Sequence, residues 1–130
     1  MPRNESLYPT DWLKIAERDY TRIRHLLEVH DPEAAGFYLQ QSVEKFLKAF
    51  LLSKGWQLKR IHDLEPLLNE ALKHDLSFEQ YREVLQRISG FYFIERYPLI
   101  LDAGLTEEDI REAFVQVHGL IDSIRTQMNE

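Results

Sequence analysis

The segment FYLQQSVEKFLKAFLLSKGW, residues 37–56, is the stretch that decides the fold. Its apolar residues recur at steps of three and four, which is the spacing of one face of an α-helix. Asp31 followed by Pro32 is typical of a helix start, and Gly55 is typical of a helix end. These signals predict a helix from Pro32 to about Lys54. Its apolar stripe is unusually broad and consists of Ala35, Leu39, Ser42, Val43, Phe46, Leu47, Phe50 and Leu51.

The same helix carries a polar row, which consists of Gln41, Glu44, Lys45 and Lys48. These residues also follow each other at steps of three and four, so they share one side of the helix. The row is either a solvated face opposite the core or one edge of a cleft for a ligand or partner. The pattern by itself leaves both interpretations open.

The rest of the chain shows helical spacing almost throughout and no strand-like alternation. Four further helices are predicted, from Thr10 to about Val29, Asp63 to about His74, Ser77 to about Glu95, and Thr106 to about Met128. The inward stripe of the first helix is Trp12, Ile15, Ala16, Ile23, Leu26 and Leu27. A capping box is expected at Ser77 with Gln80, and Thr106 with Asp109 three residues later marks the start of the last helix. Five helices with short connections predict an all-α antiparallel bundle that forms a single domain over residues 1–130, with its core at about 10–128.

The composition limits the classes of protein to which the chain can belong. It has 130 residues, of which 44% are hydrophobic and 29% are charged, as in an ordinary globular domain. No apolar run is long enough for a membrane span, and no apolar leader segment is visible, so we expect a cytoplasmic protein. The absence of cysteine excludes disulfides, thiolate metal sites and a cysteine nucleophile.

The net charge of −6 conceals a basic island. Residues 44–62 contain five lysines and arginines against Glu44 alone, whereas the chain from Asp63 onward contains six basic and fourteen acidic residues. A basic island in an acidic protein is a candidate anion site. Lysines that merely complement a helix C-terminus would give the same pattern.

Few residues suggest catalysis. The five histidines have no metal-ligand spacing, and the five glycines form no phosphate loop, so we expect neither a metal nor a cofactor. In RIHDL, residues 60–64, His62 beside Asp63 could bind a ligand or transfer a proton, or Asp63 could simply cap a helix. In YFIERYP, residues 92–98, Arg96 between two tyrosines could bind an anion beside a stacked base, or could pair with a carboxylate.

Three segments together resemble the HEPN domain (higher eukaryotes and prokaryotes nucleotide-binding). They are AAGFYLQQSVEKFLKAFLLSKGW at residues 34–56, RIHDLEPLL at 60–68, and RYP at 96–98. The resemblance implies a bundle of about five helices that forms a homodimer. It also implies a partnership with a separately encoded minimal nucleotidyltransferase, in a two-gene module like those of toxins and antitoxins. Many such domains cleave RNA with an arginine that is followed, after four to six residues, by a histidine.

This chain departs from the ribonuclease pattern. Arg96 stands at the arginine position, but Leu101, Asp102 and Ala103 occupy the places where the histidine is expected. Without that imidazole, the family mechanism has no evident proton acceptor. We therefore expect a non-catalytic protein that binds a nucleotide or phosphate ligand, with contact residues Lys45, Lys48, Arg60, His62, Asp63, Tyr92, Arg96 and Tyr97. The alternatives are a divergent ribonuclease that uses His62 and Arg96, and a helical dimeric adaptor.

Overall fold

A computed structural model of the chain describes residues 6–96 and 106–129, with the side chains of the first range described up to Phe91. The α-helices in these ranges are α1 Pro9–Glu28, α2 Pro32–Ser53, α3 Leu64–Ala71, α4 Arg82–Arg96, α5 Glu107–Gln116 and α6 His118–Met128, and a 3-10 helix, Leu76–Tyr81, leads into α4. Helices α5 and α6 are separated only by Val117, whose carbonyl still accepts the Ile121 amide at 3.2 Å. They therefore correspond to the single last helix predicted from the sequence. With α5 and α6 counted as one helix, the described ranges contain the five predicted α-helices, and the all-α fold is confirmed.

The helix starts differ from the predictions at two places. Helix α1 begins at Pro9 after the N-cap residue Tyr8, so Thr10 is not its N-cap. Proline is well suited to a first helical position, because its fixed φ fits the helix and its missing N–H would have no intrahelical acceptor there. Asp31 caps α2 as predicted, and its side chain accepts the Ala34 amide at 3.4 Å.

The capping box expected at Ser77 is also wrong. Asp75 caps the 3-10 helix instead, because its carboxylate accepts both the amide and the hydroxyl of Ser77, at 2.9 and 2.6 Å. The Gln80 side chain turns to the Ser77 carbonyl at 3.0 Å, and α4 starts only at Arg82. The helix start predicted at Thr106 is confirmed. Thr106 caps α5 and forms a capping box with Asp109, because each side chain accepts a hydrogen bond from the backbone amide of the other, at 3.0 and 3.1 Å.

Helix α2 is the central element of the bundle. It contacts α1, α3, α4, α5 and α6, which explains its broad apolar stripe, since a helix surrounded by others buries most of its circumference. Gly36 allows α2 to approach two of its neighbours closely. A Cβ atom at this position would lie 3.2 Å from Cβ of Phe91 in α4 and 3.3 Å from Cδ1 of Ile110 in α5. A larger residue here would have to displace these neighbours by a few tenths of an ångström, so glycine suits the close packing.

Tyr20 connects the first helix to the last. Its side chain is buried, and its ring lies 5.8 Å from the ring of Phe46 and 5.1 Å from that of Phe114. Its hydroxyl lies 3.0 Å from Nδ1 of His118, at the start of α6. Burial disfavours the phenolate and raises the pKa of Tyr20 to about 12, with smaller opposing effects from the charges of Arg125 and Asp122.

Because Tyr20 is buried as the neutral phenol, the free energy of unfolding should fall at alkaline pH. The pKa of Tyr20 is raised above its unfolded value of 10.0, so its contribution is complete below pH 10 and is lost as the pH rises toward 12. We expect the free energy of unfolding to fall by about 2–3 kcal/mol more in the wild type than in Tyr20→Phe over this interval. Urea unfolding of both proteins at several pH values measures the difference. Equal pH profiles would contradict a buried, neutral hydroxyl.

Candidate functional site

The polar row of α2 is largely buried. Glu44 is 5% exposed and Lys48 is 2% exposed, while Gln41 and Lys45 are half-buried. The interpretation of this row as a solvated face is therefore wrong. The surrounding helices and the segment that follows α2 cover it, and a buried charge must find a partner of opposite sign within the protein.

Lys48 and Glu44 form the inner ion pair. Nζ of Lys48 lies 3.0 Å from Oε2 of Glu44, one helical turn away. The same ammonium group lies 5.3 Å from the ring centre of Trp12, which is a cation–π contact across α1 and α2. The indole N–H of Trp12 in turn donates to the Ser6 carbonyl at 2.7 Å. The charge of Lys48 is thus satisfied entirely by groups inside the bundle.

Lys45 and Asp19 form a second pair between α2 and α1. Nζ of Lys45 lies 2.7 Å from Oδ2 of Asp19, whose side chain is only 4% exposed, and Arg22 approaches the other carboxylate oxygen at 3.4 Å. Sequence reasoning missed Asp19 and placed Ile15 inward, although Ile15 is 37% exposed. A signal was present, because Asp19 follows Ala16 by three positions and lies on the apolar stripe of α1.

Glu44 also holds the segment between α2 and α3, which we name the basic loop (residues 54–63). Oε2 of Glu44 lies 3.1 Å from Nδ1 of His62, and the Gln40 amide donates to the His62 carbonyl at 3.1 Å. The imidazole is otherwise open to solvent, since the His62 side chain is 72% exposed. A buried carboxylate therefore fixes one ring nitrogen of an exposed histidine, in the manner that orients catalytic and ligand-binding imidazoles.

The candidate residues of the basic loop are accessible. Arg60, His62 and Asp63 are all exposed, as is Lys59. Asp63 occupies the N-cap position of α3, but its side chain makes no capping hydrogen bond. Its carboxylate therefore does not cap the helix, contrary to the alternative interpretation of RIHDL. The exposed charges of the basic island thus lie in this loop, whereas Lys45 and Lys48 carry charges already balanced by acids.

A cleft leads from the end of the basic loop to α4. It has a volume of about 490 Å³ and is lined by Asp63, Glu65, Pro66, Asn69, Gln86 and Ser89. Ser89 precedes Arg96 by two helical turns, which is about 10 Å along the axis of α4. Tyr92 and Arg96 belong to this helix, but their side chains lie outside the described residues, and Tyr97 lies wholly outside them.

The described residues contain neither a membrane-spanning helix nor a metal-binding cluster. None of the helices in residues 6–96 and 106–129 has the length and apolar character needed to cross a membrane. Within the same ranges, no three His, Asp or Glu side chains converge in a way that could hold a metal ion.

Comparison with known families identifies the class of protein. The HEPN domain family matches residues 9–127, which is nearly the whole chain. The match begins at the first residue of α1 and ends one residue before the end of α6. The protein belongs to the HEPN domain family. Neither the curated proteins nor the solved structures gave a match. Membership supports a function of the nucleotide-related or ribonuclease type.

The inner ion pair can be tested by unfolding. Replacing Lys48 by Met leaves the Glu44 carboxylate buried beside a single exposed histidine, which should lower the free energy of unfolding by about 3–5 kcal/mol. The double variant Glu44→Leu/Lys48→Met removes both charges and should recover at least half of that loss. Urea unfolding at neutral pH measures both effects.

A surface pair provides the matched control for this cycle. Lys73→Met removes an exposed lysine whose Nζ lies 3.2 Å from Oε1 of Glu70, three residues earlier in the chain. Its effect should stay within about 0.5 kcal/mol. If Lys48→Met costs no more than this control, the buried pair does not stabilise the bundle as described.

Proposed function

We propose that this protein is a non-catalytic HEPN-domain binding module, which binds a nucleotide or another phosphate ligand through the basic loop. The proposal includes a homodimer and a separately encoded minimal nucleotidyltransferase as partner, in a two-gene module of the toxin–antitoxin kind. Family membership supports the nucleotide-related class. The dimer and the partner rest on the resemblance of the sequence to this family.

The observation that carries the proposal is the difference between two groups of cations. Lys45 and Lys48 are neutralised by Asp19 and Glu44 inside the bundle. Lys59 and Arg60 are exposed on the basic loop. Neither forms an ion pair with any residue of the described ranges. An anionic ligand gains most from cations that have no competing carboxylate.

The basic loop is also anchored in a way that suits binding. Glu44 binds the ring of His62, and the Gln40 amide donates to its carbonyl. The end of the basic loop, just before α3, is therefore fixed to α2. A loop fixed before the ligand arrives loses less conformational entropy on binding. We infer that Arg60 and His62 contact the phosphates, that Asp63 borders the site, and that Lys45 and Lys48 act indirectly by keeping the acids of α2 and α1 neutralised.

We infer that Tyr92 and Arg96 of α4, together with Tyr97, complete the proposed site. The cleft that begins at Asp63 reaches Ser89 of α4, which precedes Arg96 by two turns of the same helix. An arginine can bind a phosphate in bidentate fashion, and a tyrosine ring can stack on a base. The proposed ligand would therefore extend from the basic loop toward the end of α4.

Calorimetry with nucleoside triphosphates tests the binding module. We expect ATP or GTP to bind, and Arg60→Ala and Arg96→Ala each to weaken binding by about tenfold, because each removes a charge-assisted contact to phosphate. Lys14→Ala is the control, since Lys14 is an exposed lysine of α1 that is not among the proposed contact residues. Absence of binding at millimolar ligand would eliminate the ligand, and a partner complex indifferent to nucleotide would favour the adaptor.

A second candidate, a divergent ribonuclease, is favoured by the contact between Glu44 and His62. The carboxylate holds Nδ1 at 3.1 Å and leaves Nε2 of His62 as a potential proton acceptor. Nε2 could take the proton of a ribose 2′-hydroxyl while the 2′-oxygen attacks the adjacent phosphorus. The bond to the 5′-oxygen then breaks, and this oxygen takes a proton from water. The products are a 2′,3′-cyclic phosphate and a 5′-hydroxyl.

Cleavage of RNA by the purified protein tests this candidate. His62→Gln should lower the rate by about a hundredfold or more, as expected for loss of a general base, and Glu44→Gln should lower it less. His25→Gln is the matched control, because His25 is an exposed histidine of α1. Intact RNA in the presence of the wild-type protein would eliminate the ribonuclease and leave the binding module.

A further inference from the structure

A groove separates α1 from the last two helices and shares no residue with the basic loop or the cleft beside it. It has a volume of about 260 Å³ and is lined by Tyr20, Thr21, Arg24, Phe114, His118 and Arg125. A shallower extension of about 250 Å³ shares three of these residues and adds Val115, which is 71% exposed. None of these lining residues is acidic, although the protein as a whole carries a net charge of −6.

The walls of the groove are aromatic and held in place. The rings of Tyr20 and Phe114 lie 5.1 Å apart at an angle of 38°, and the ring of His118 lies 6.2 Å from that of Tyr20. Both nitrogens of His118 have partners, the Tyr20 hydroxyl at 3.0 Å and Oδ2 of Asp122 at 3.3 Å. His118 is therefore a fixed part of the wall. The Thr21 hydroxyl is also engaged, since it donates to the Glu17 carbonyl at 2.9 Å.

The two arginines of the groove differ in whether their charge is paired. Arg125 donates two hydrogen bonds to the carboxylate of Glu17, each at 2.7 Å, and a third to Asp122 at 3.0 Å. Its charge is already balanced. Arg24 is exposed, and within the described ranges it makes no hydrogen bond or ion pair. It is close enough to Tyr20 for its charge to act on the phenol.

We propose that this groove is a second binding site, which takes a planar aromatic ligand bearing an anionic group, of about the size of a mononucleotide. The ring would lie against Tyr20 and Phe114, and the anion would pair with Arg24. A flat ring gains contact area and stacking on such walls, and a guanidinium binds a phosphate or carboxylate in bidentate fashion. The volume of the groove is slightly below the usual range of ligand pockets, so a polymer or dinucleotide would not be enclosed.

Amide-resolved NMR of the full chain with AMP locates any such ligand. We expect shifts at Arg24, Phe114, Val115 and His118 that saturate with AMP. Adenosine should produce smaller shifts at the same residues, and inorganic phosphate alone should produce none, because the ring and the anion contribute together. Inosine monophosphate and a benzoate serve as further probes, which separate a nucleotide from a simple aromatic carboxylate.

Two variants decide the role of the free arginine. Arg24→Ala should weaken AMP binding at the groove by about tenfold, and Arg24→Lys should restore part of it, because a lysine keeps the charge without the bidentate geometry. Arg18→Ala is the control, since Arg18 is also an exposed arginine of α1 but does not line the groove. Thermal melting shows that each variant is folded.

The proposal is overturned by any of three results. These are the absence of saturable shifts at the groove with every probe, shifts confined to the basic loop, and equal AMP affinity of Arg24→Ala and Arg18→Ala. Shifts confined to the basic loop would support the binding module proposed above while eliminating the groove, so the two sites are judged separately.

Discussion

The buried ion pair between Lys48 and Glu44 is the interaction on which the rest of the structure depends. Two opposite charges on the central helix of a small bundle are stable only when each is held by the other and by further partners. Each member of the pair also contacts a residue of another segment. Trp12 covers the ammonium group from α1, and His62 meets the carboxylate from the basic loop. A helix surrounded by apolar contacts thus also fixes the position of an exposed segment.

This arrangement changes what a basic island means in this protein. Five cations close together in the sequence suggest one anion site, yet the fold divides them. Those on α2 are neutralised from within, and those on the loop remain exposed. Electrostatic attraction of an anion is strongest at cations that have no carboxylate paired with them, so the proposed function assigns ligand contact to the loop and its support to α2. Glu44 belongs to both, because it balances Lys48 and orients His62.

The bundle has two surfaces of different chemical character. Acid and amide side chains line the cleft between α3 and α4, whereas aromatic rings and arginines line the groove between α1 and α5–α6. The difference follows from which faces of the helices remain after the core is formed. Side chains of α1, α5 and α6 that do not complete the contacts with α2 form the groove.

The sequence by itself determined the helical fold, because apolar residues at steps of three and four cannot be buried on any other regular structure. It also determined the caps at Asp31 and Thr106, which depend on neighbours within one turn. It could not determine that Asp75 would outcompete Ser77, or that Asp19 would be buried beside Lys45. Which side of a helix is solvated depends on elements distant in the chain. Only the tertiary structure decided that the polar row lies inside the bundle, since burial and charge pairing arise when the helices meet.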